Sequence, residues 1–320
     1  MKAVIDVFNG DADGICALHQ LRLAAPRPGA RLVSGVKRDI ALLRHLAGTT
    51  GAEITVLDVS LERNREYLLP LLASCRVFYV DHHYADEIPV AANLEAHIDP
   101  DPELCTSLIV DNLLAGRFRA WAVVGAFGDN LHRSARRAAA ALNLAPGELE
   151  RLRELGELLN YNGYGASLAD LHLDPTELYR AVGAYPDPLE FQRDSSLLAA
   201  LRQGMAADLT RTRALAPWRE SPAGRIFQLP PAPWARRVAG VYANELARSA
   251  PAQAHALLVE NPDGTMLVSV RAPQERPRGA DALCRAFPTG GGRAGAAGIN
   301  ALPAEMRDKF CQAFGAAFSS

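Results

Sequence analysis

Short β-branched runs alternate with helical stretches through the first part of this chain, and that alternation restricts the fold more than any other feature. Lys2–Phe8 (KAVIDVF) reads as a strand, followed by a small-residue turn and a helical stretch from Ile15 to about Ala25. Arg31–Val36, Glu53–Val59 and Cys75–Val80 are further apolar strands, separated by helical segments near Ile40–Leu46 and Leu61–Leu72. Strands and helices alternating at this spacing predict an α/β fold, a mostly parallel sheet with helices on both faces. Ligands of such sheets bind outside the carboxyl ends of the strands, so the residues just after each strand come into focus.

The remainder of the chain divides further. From about Ser134 to Trp218 strand signals fade, and Ala135–Leu142, Gly147–Leu159, Pro175–Val182 and Ser195–Ala214 show helical spacing of apolar residues. Five prolines in Leu215–Pro233 suggest an interdomain connection with one short strand, Arg225–Leu229. Strands return at His255–Glu260 and Thr265–Val270 around an Asp263-Gly264 hairpin turn. A helix at about Ala280–Ala286, a glycine-rich loop and a helix at Pro303–Phe318 complete a smaller C-terminal α/β domain. The length of 320 residues fits two domains, since one core seldom grows past about 250 residues. The expected division is a core at 1–133, a helical extension and linker at 134–218, and a second domain at 219–320.

Composition limits the partners. The net charge of −2 argues against an extended duplex as ligand, because neutralising phosphates drives that binding. No apolar run reaches the ~18 residues of a membrane span, and no leader pattern opens the chain, so the expectation is a cytoplasmic protein without a membrane partner. A homodimer is compatible with this composition. The five cysteines are scattered and never in CxxC spacing, which speaks against a disulfide framework or a thiolate zinc site.

Acids cluster where the strands end. Asn9-Gly10-Asp11-Ala12-Asp13-Gly14 follows the first strand, and its glycines permit a turn that lets two carboxylates converge. Asp58 follows the third strand, Asp81-His82-His83 the fourth, and Asp129 the apolar run Trp121–Phe127. Taken singly, Asp11 and Asp13 make ordinary turns and Asp58 an ordinary helix cap. Two imidazoles beside a carboxylate suit Mn, Fe, Zn or Mg better than they suit a core. Lys37 and Arg38, after the second strand, read as a solvated basic turn.

These blocks, in this order, resemble the DHH phosphoesterase family. Cys105-Thr106-Ser107, opening a helix after Ile98-Asp99-Pro100, matches a further block. Val268–Arg271 followed by Gly290–Gly298 (GGGRAGAAG) resembles the DHH-associated domain. The resemblance implies a site between two domains with one or two divalent ions, Mn2+ first, with Mg2+ or Co2+ as alternatives. By that likeness Asp11 and Asp58, with position 9, hold the first ion, and Asp13, Asp58, His82 and Asp129 the second. Asp81 then orients an imidazole, and His83 meets the substrate phosphate, so Asp58, Asp81 and His83 form the catalytic group. Arg271, Gly290, Gly291, Gly292 and Arg293 are the implied substrate contacts. Backbone N–H groups of a glycine loop can approach a phosphate closely, and two arginines add charge-assisted hydrogen bonds. Independently, two cations about 3.5–4 Å apart can acidify a water and compensate phosphoryl charge, as hydrolysis of a phosphate ester requires.

The chain departs from the family at two positions. Asn9 stands where His or Asp is usual, and an amide oxygen is a weaker ligand. Arg293 stands where the glycine loop usually carries His; arginine binds phosphate but cannot exchange a proton at neutral pH. The expected activity is therefore hydrolysis of a short nucleotide, oligonucleotide or related phosphate ester. The alternative is a catalytically weakened nucleotide- or phosphate-binding protein.

Overall fold

Val4, Ile5, Val7 and Phe8 make the first strand, β1 (Val4–Asn9), apolar on both sides, and five of its six residues are buried. Burial on both faces is the environment of a central strand in a parallel sheet. The polar interruption, Asp6, is matched by Arg22, whose Nε and Nη2 reach its carboxylate at 2.8 and 2.5 Å. The computed structural model describes residues 2–319.

The elements that follow are α1 (Ala12–Ala24), β2 (Arg31–Gly35), β3 (Glu53–Leu57), α2 (Leu61–Leu71), β4 (Arg76–Asp81) and β5 (Leu94–Ile98). Their five strands align in the order β2-β1-β3-β4-β5, and every pairing is parallel. The chain leaves β1 toward β2 on one side, and β3 returns to its other side. The ends of β1 and β3 thus flank the point where the order reverses, the place where such sheets open a crevice. The Ile40–Leu46 segment forms a short 3-10 turn over Leu42–Leu46. β5 was not anticipated; its LEAHI sequence places Glu95 and His97 on a partly exposed edge, so an apolar run is lacking.

Helices α3 (Thr106–Leu113), α4 (Arg119–Gly128), α5 (His132–Ala139), α6 (Glu148–Gly163), α7 (Pro175–Val182) and α8 (Pro188–Asp194) complete the first unit, Met1–Arg202, and α9 (Ser196–Arg213) runs across its boundary. α4 is buried from Trp121 through Gly128 and packs against α1, α3 and α6. A helix apolar all round belongs in an interior, and this one brings Asp129 to its C-terminal end.

The second unit, Gln203–Ser320, carries β6 (Arg219–Ser221), β7 (Gly224–Leu229), α10 (Pro233–Ser249), β8 (Ala254–Glu260), β9 (Met266–Arg271), α11 (Ala280–Arg285), β10 (Gly290–Arg293), β11 (Ala296–Leu302) and α12 (Arg307–Phe318). Its sheet runs β10-β11-β9-β8-β7-β6. Only the β7–β8 pair among these is parallel, and α10 is its crossover. Phe227, Leu257, Val259 and Leu267 face α10, whereas Ile226, Ala256, Val268 and Ile299 join the core with α11 and α12. The proline-rich stretch Leu215–Pro233 is thus no plain linker. It contains the β6–β7 hairpin, and Pro233 opens α10, where a missing N–H costs nothing. Gly290–Gly298 likewise forms paired strands rather than a loop, its Gly291 opposite Gly298 and its Gly292 opposite Ala297. Glycine is required at Gly290 by close packing on Cys284 and at Gly292 by a φ of +134°.

Candidate metal centre

The turn after β1 folds onto itself through its own side chains. Asp11 caps α1, accepting from the N–H groups of Asp13 at 3.0 Å and Gly14 at 3.1 Å. Asn9 Oδ1 accepts from the Asp11 N–H at 3.3 Å, and Asn9 Nδ2 donates to the Lys37 carbonyl at 3.2 Å. A side chain at Gly10 would press on Pro175, at 2.6 Å from its Cγ. The turn has no room for one.

Asp13, in the first turn of α1, points into α3. Its two carboxylate oxygens accept the Thr106 and Ser107 N–H groups at 2.8 and 2.7 Å, and Ser107 Oγ donates to the Asp13 carbonyl at 2.8 Å. An acid at a helix N-terminus meets unpaired backbone donors and the positive end of the dipole. The Cys105-Thr106-Ser107 block is therefore a clamp on Asp13. Its role was not legible in sequence, because the clamp joins segments far apart in the chain.

Asp58 follows β3 with φ at +57°, a backbone that Asp and Asn tolerate better than most residues. Thr106 Oγ1 donates to Asp58 Oδ1 at 3.2 Å, and His82 Nε2 lies 3.4 Å from the same oxygen. The Asp11 carboxylate lies near enough for its charge to act on Asp58. Burial pushes the Asp58 carboxyl well above its ordinary range, and the charges of Asp13 and Asp11 push it further. A bound cation would reverse that shift, which is what a ligand carboxylate in such a cluster requires.

At the end of β4, Asp81 Oδ1 lies 2.6 Å from His83 Nδ1, and the Leu61 N–H donates to Asp81 Oδ2 at 3.4 Å. Asp81 is fully buried, so His83 is held by a fixed carboxylate. Burial works to lower the His83 pKa, but the adjacent Asp81 raises it more. The rings of His82 and His83 lie 4.5 Å apart. One ligand atom each from Asp58, His82 and His83 fall within 4.8 Å of one another, a spacing that fits a metal ion. Carboxylate oxygen with imidazole nitrogen is a donor set for Mn2+, Mg2+ or a similar divalent ion. The residues present fit such an ion.

Lys37 departs from the sequence reading. Its side chain is only 22 % exposed, and its ammonium donates to Asp11, to Asn160 Oδ1 at 3.0 Å and to Asp129 Oδ1 at 3.4 Å. The ring of Tyr164 lies beneath it at 5.8 Å. Burial tends to lower the Lys37 pKa, yet the charge of Asp11, with Tyr164 and Asp129 behind it, carries it well above the usual value. The same pairing outweighs burial at Asp11 and lowers its pKa. A basic residue after a strand usually faces solvent, and no local signal says that the C-terminal turn of α6 covers this one.

In the second unit, register places Arg271 and Arg293 opposite the same residue, Ala296, on successive strands. Residues paired in register share a face, and His255 pairs with Arg271 in turn. Arg271 Nε donates to Asn244 Oδ1 of α10 at 2.7 Å, which fixes that face as the α10 side. Gly290, Gly291 and Gly292 lie in β10 beside Arg293.

No protein-family model matches the chain, and no curated protein matches it in sequence. Solved structures do. Exonuclease RecJ bound to manganese aligns at a TM-score of 0.60 and 18% identity, over 99% of this chain and 90% of that one. RecJ from Thermus thermophilus in complex with Mn2+ aligns at 0.68 and 17%, over 99% of this chain and 52% of that one, so this chain spans about half of it. A pGpG-specific phosphodiesterase, PggH from Vibrio cholerae, aligns at 0.54 and 12%, over 99% of both chains. The chain has the α/β fold of the DHH family.

Proposed function

We propose that this chain is a divalent-metal-dependent phosphoesterase acting on a short nucleotide, oligonucleotide or related phosphate ester. The observation that carries the reading is the convergence of Asp58, His82 and His83 donor atoms within 4.8 Å, beside Asp11 and Asp13. Structural neighbours add support: RecJ has been solved with Mn2+ and with Mg2+, and another neighbour is a pGpG-specific phosphodiesterase. In this reading Asp58 and His82 hold the ion, with His83 beside it and Asp11 and Asp13 adjoining. A divalent ion there supplies compensation for phosphoryl charge and a more acidic water. Asp81 engages His83 Nδ1 at 2.6 Å, which leaves Nε2 to meet the substrate. From that position Nε2 donates a proton to a phosphoryl oxygen or a leaving group. Arg271, Arg293 and the Gly290–Gly292 backbone are the proposed substrate contacts of the second unit, and near-neutral net charge favours a short ligand.

The test is Mn2+-dependent hydrolysis across dinucleotides, short oligonucleotides and phosphomonoesters, with Asp58→Asn beside the wild type. Asn suits the left-handed backbone at this position, so the fold is preserved while the charge is lost. The variant should lose at least about 100-fold in rate, the scale on which ligand and electrostatic groups act. An undiminished rate in Asp58→Asn would falsify the assignment. A second reading, a non-catalytic nucleotide- or phosphate-binding protein, draws on Asn9, whose amide meets backbone groups at both ends. It predicts saturable ligand binding with no turnover of any compound in the panel.

A further inference from the structure

We propose that Lys37 is a built-in cation of this centre: its ammonium takes the position between Asp11 and Asp129 that a second metal ion would fill, so the site binds one divalent ion per chain. The inference rests on the metal-centre reading above and specifies how many ions that centre takes.

The donors fall into two sets. Asp58, His82 and His83 bring ligand atoms together within 4.8 Å. Asp11 and Asp129 instead meet at the Lys37 ammonium, which contacts both carboxylates. The carboxylates are not the only groups that hold the lysine there. Its N–H donates to the Gly163 carbonyl at 2.8 Å, and its carbonyl accepts from Asn9 Nδ2 at 3.2 Å. Asn160 Oδ1 accepts from the ammonium at 3.0 Å, and the Tyr164 ring lies 5.8 Å from it. All three of Asn160, Gly163 and Tyr164 come from the end of α6 or the residue after it. Gly163 lets that turn press against Asp11, since a Cβ there would stand 2.9 Å from the Asp11 Cβ. A neutral amide oxygen and an aromatic face are partners an ammonium gains beyond ion pairing.

Asn9 fits the same scheme. Its amide ties β1 to the backbone of Lys37 and so acts as a positioning residue for the lysine. A dication at Asp11 and Asp129 would lie within contact distance of a fixed positive charge, and the two would repel strongly at low dielectric. A monocation that cannot exchange also leaves less positive charge for the site to accommodate, as suits a centre with an uncharged Asn at position 9.

The experiment is Mn2+ titration of the apo protein by calorimetry, with the Mn2+ EPR spectrum recorded at saturation, for wild type and Lys37→Met. The wild type should bind one ion per chain with the spectrum of an isolated Mn2+. Lys37→Met should bind two, with the spectrum of a spin-coupled pair, and adding Asp11→Asn to it should return the count to one. Two ions in the wild type would overturn the inference and leave the metal-centre reading intact. One ion in both proteins would also overturn it. No ion in the wild type would overturn the metal-centre reading itself, and the inference with it. Should Lys37→Met fail to fold, Lys37→Gln retains length and polarity without charge, and the wild-type count stands as a test alone.

Discussion

Thr106 serves two carboxylates with two different groups. Its backbone N–H donates to Asp13 at 2.8 Å, and its hydroxyl donates to Asp58 at 3.2 Å. Thr106→Val keeps the first bond and the shape of the side chain but removes the second. Hydrogen bonds that orient a metal ligand are worth about 10–100-fold in metal affinity, so Mn2+ affinity should fall within that range. Stability should change by only about 1 kcal/mol, as for one buried hydrogen bond. Calorimetric titration and urea unfolding check the two parts, and Thr106→Ser should restore affinity; unchanged affinity in Thr106→Val would mean that the hydroxyl orients nothing. At this scale the candidate ligands Asp11, Asp13, Asp58, His82 and Asp129 were legible because each follows an apolar run or a small-residue turn. Thr106 as a clamp and Lys37 as an internal cation were not. Their partners lie far away in sequence, and short-range pattern carries no information on which segments meet.

Two glycines set how closely α4 and α6 cross. A Cβ on Gly156 would stand 2.9 Å from the Gly128 nitrogen and 3.2 Å from the Phe127 Cβ, and backbone cannot yield as a flexible side chain can. α4 carries Asp129 at its end, and α6 carries Asn160, so this crossing positions two partners of Lys37. Gly156→Ala should therefore destabilise the protein by about 1–3 kcal/mol, the usual cost of overpacking. Gly315 in α12 offers the contrast, since nothing lies within 4 Å of a Cβ built there. Gly315→Ala should stabilise by about 0.5–1 kcal/mol through helix propensity alone. Chemical denaturation of both variants checks the pair; equal effects would show that contact distance does not govern either site. Elements with strong periodicity, such as β1, α2 and α7, follow their sequence pattern to within a few residues. β5 was missed because an edge strand with Glu95 and His97 has no apolar run, and α10 because its opening proline resembled a linker.

Each unit buries one histidine away from the candidate metal centre, and together they tie the whole molecule's stability to pH. In the first unit His19 lies against Trp121, with Nε2 2.8 Å from the Tyr185 carbonyl, and burial lowers its pKa to about 4 in spite of that hydrogen bond. In the second, His255 is lowered to about 4 by burial, which the Ala250 carbonyl opposes and Arg225 reinforces. An unfolded histidine titrates near 6.5, so between that value and 4 the unfolded chain binds a proton that the folded chain refuses. Stability consequently falls as pH drops through this window, and it is complete above 6.5. For His19 alone the loss at pH 5 is about 2 kcal/mol, taking its folded pKa as about 4. Asp58 acts in the opposite sense: its raised carboxyl pKa gives the metal-free protein relative stability as pH falls. The two contributions are separable by variant. In urea unfolding at pH 7.5 and pH 5.0 without metal, His19→Gln should reduce the pH-dependent loss by about 2 kcal/mol relative to wild type, whatever its effect at pH 7.5. An identical pH dependence in the two proteins would mean that His19 takes up its proton in the folded state as readily as in the unfolded chain.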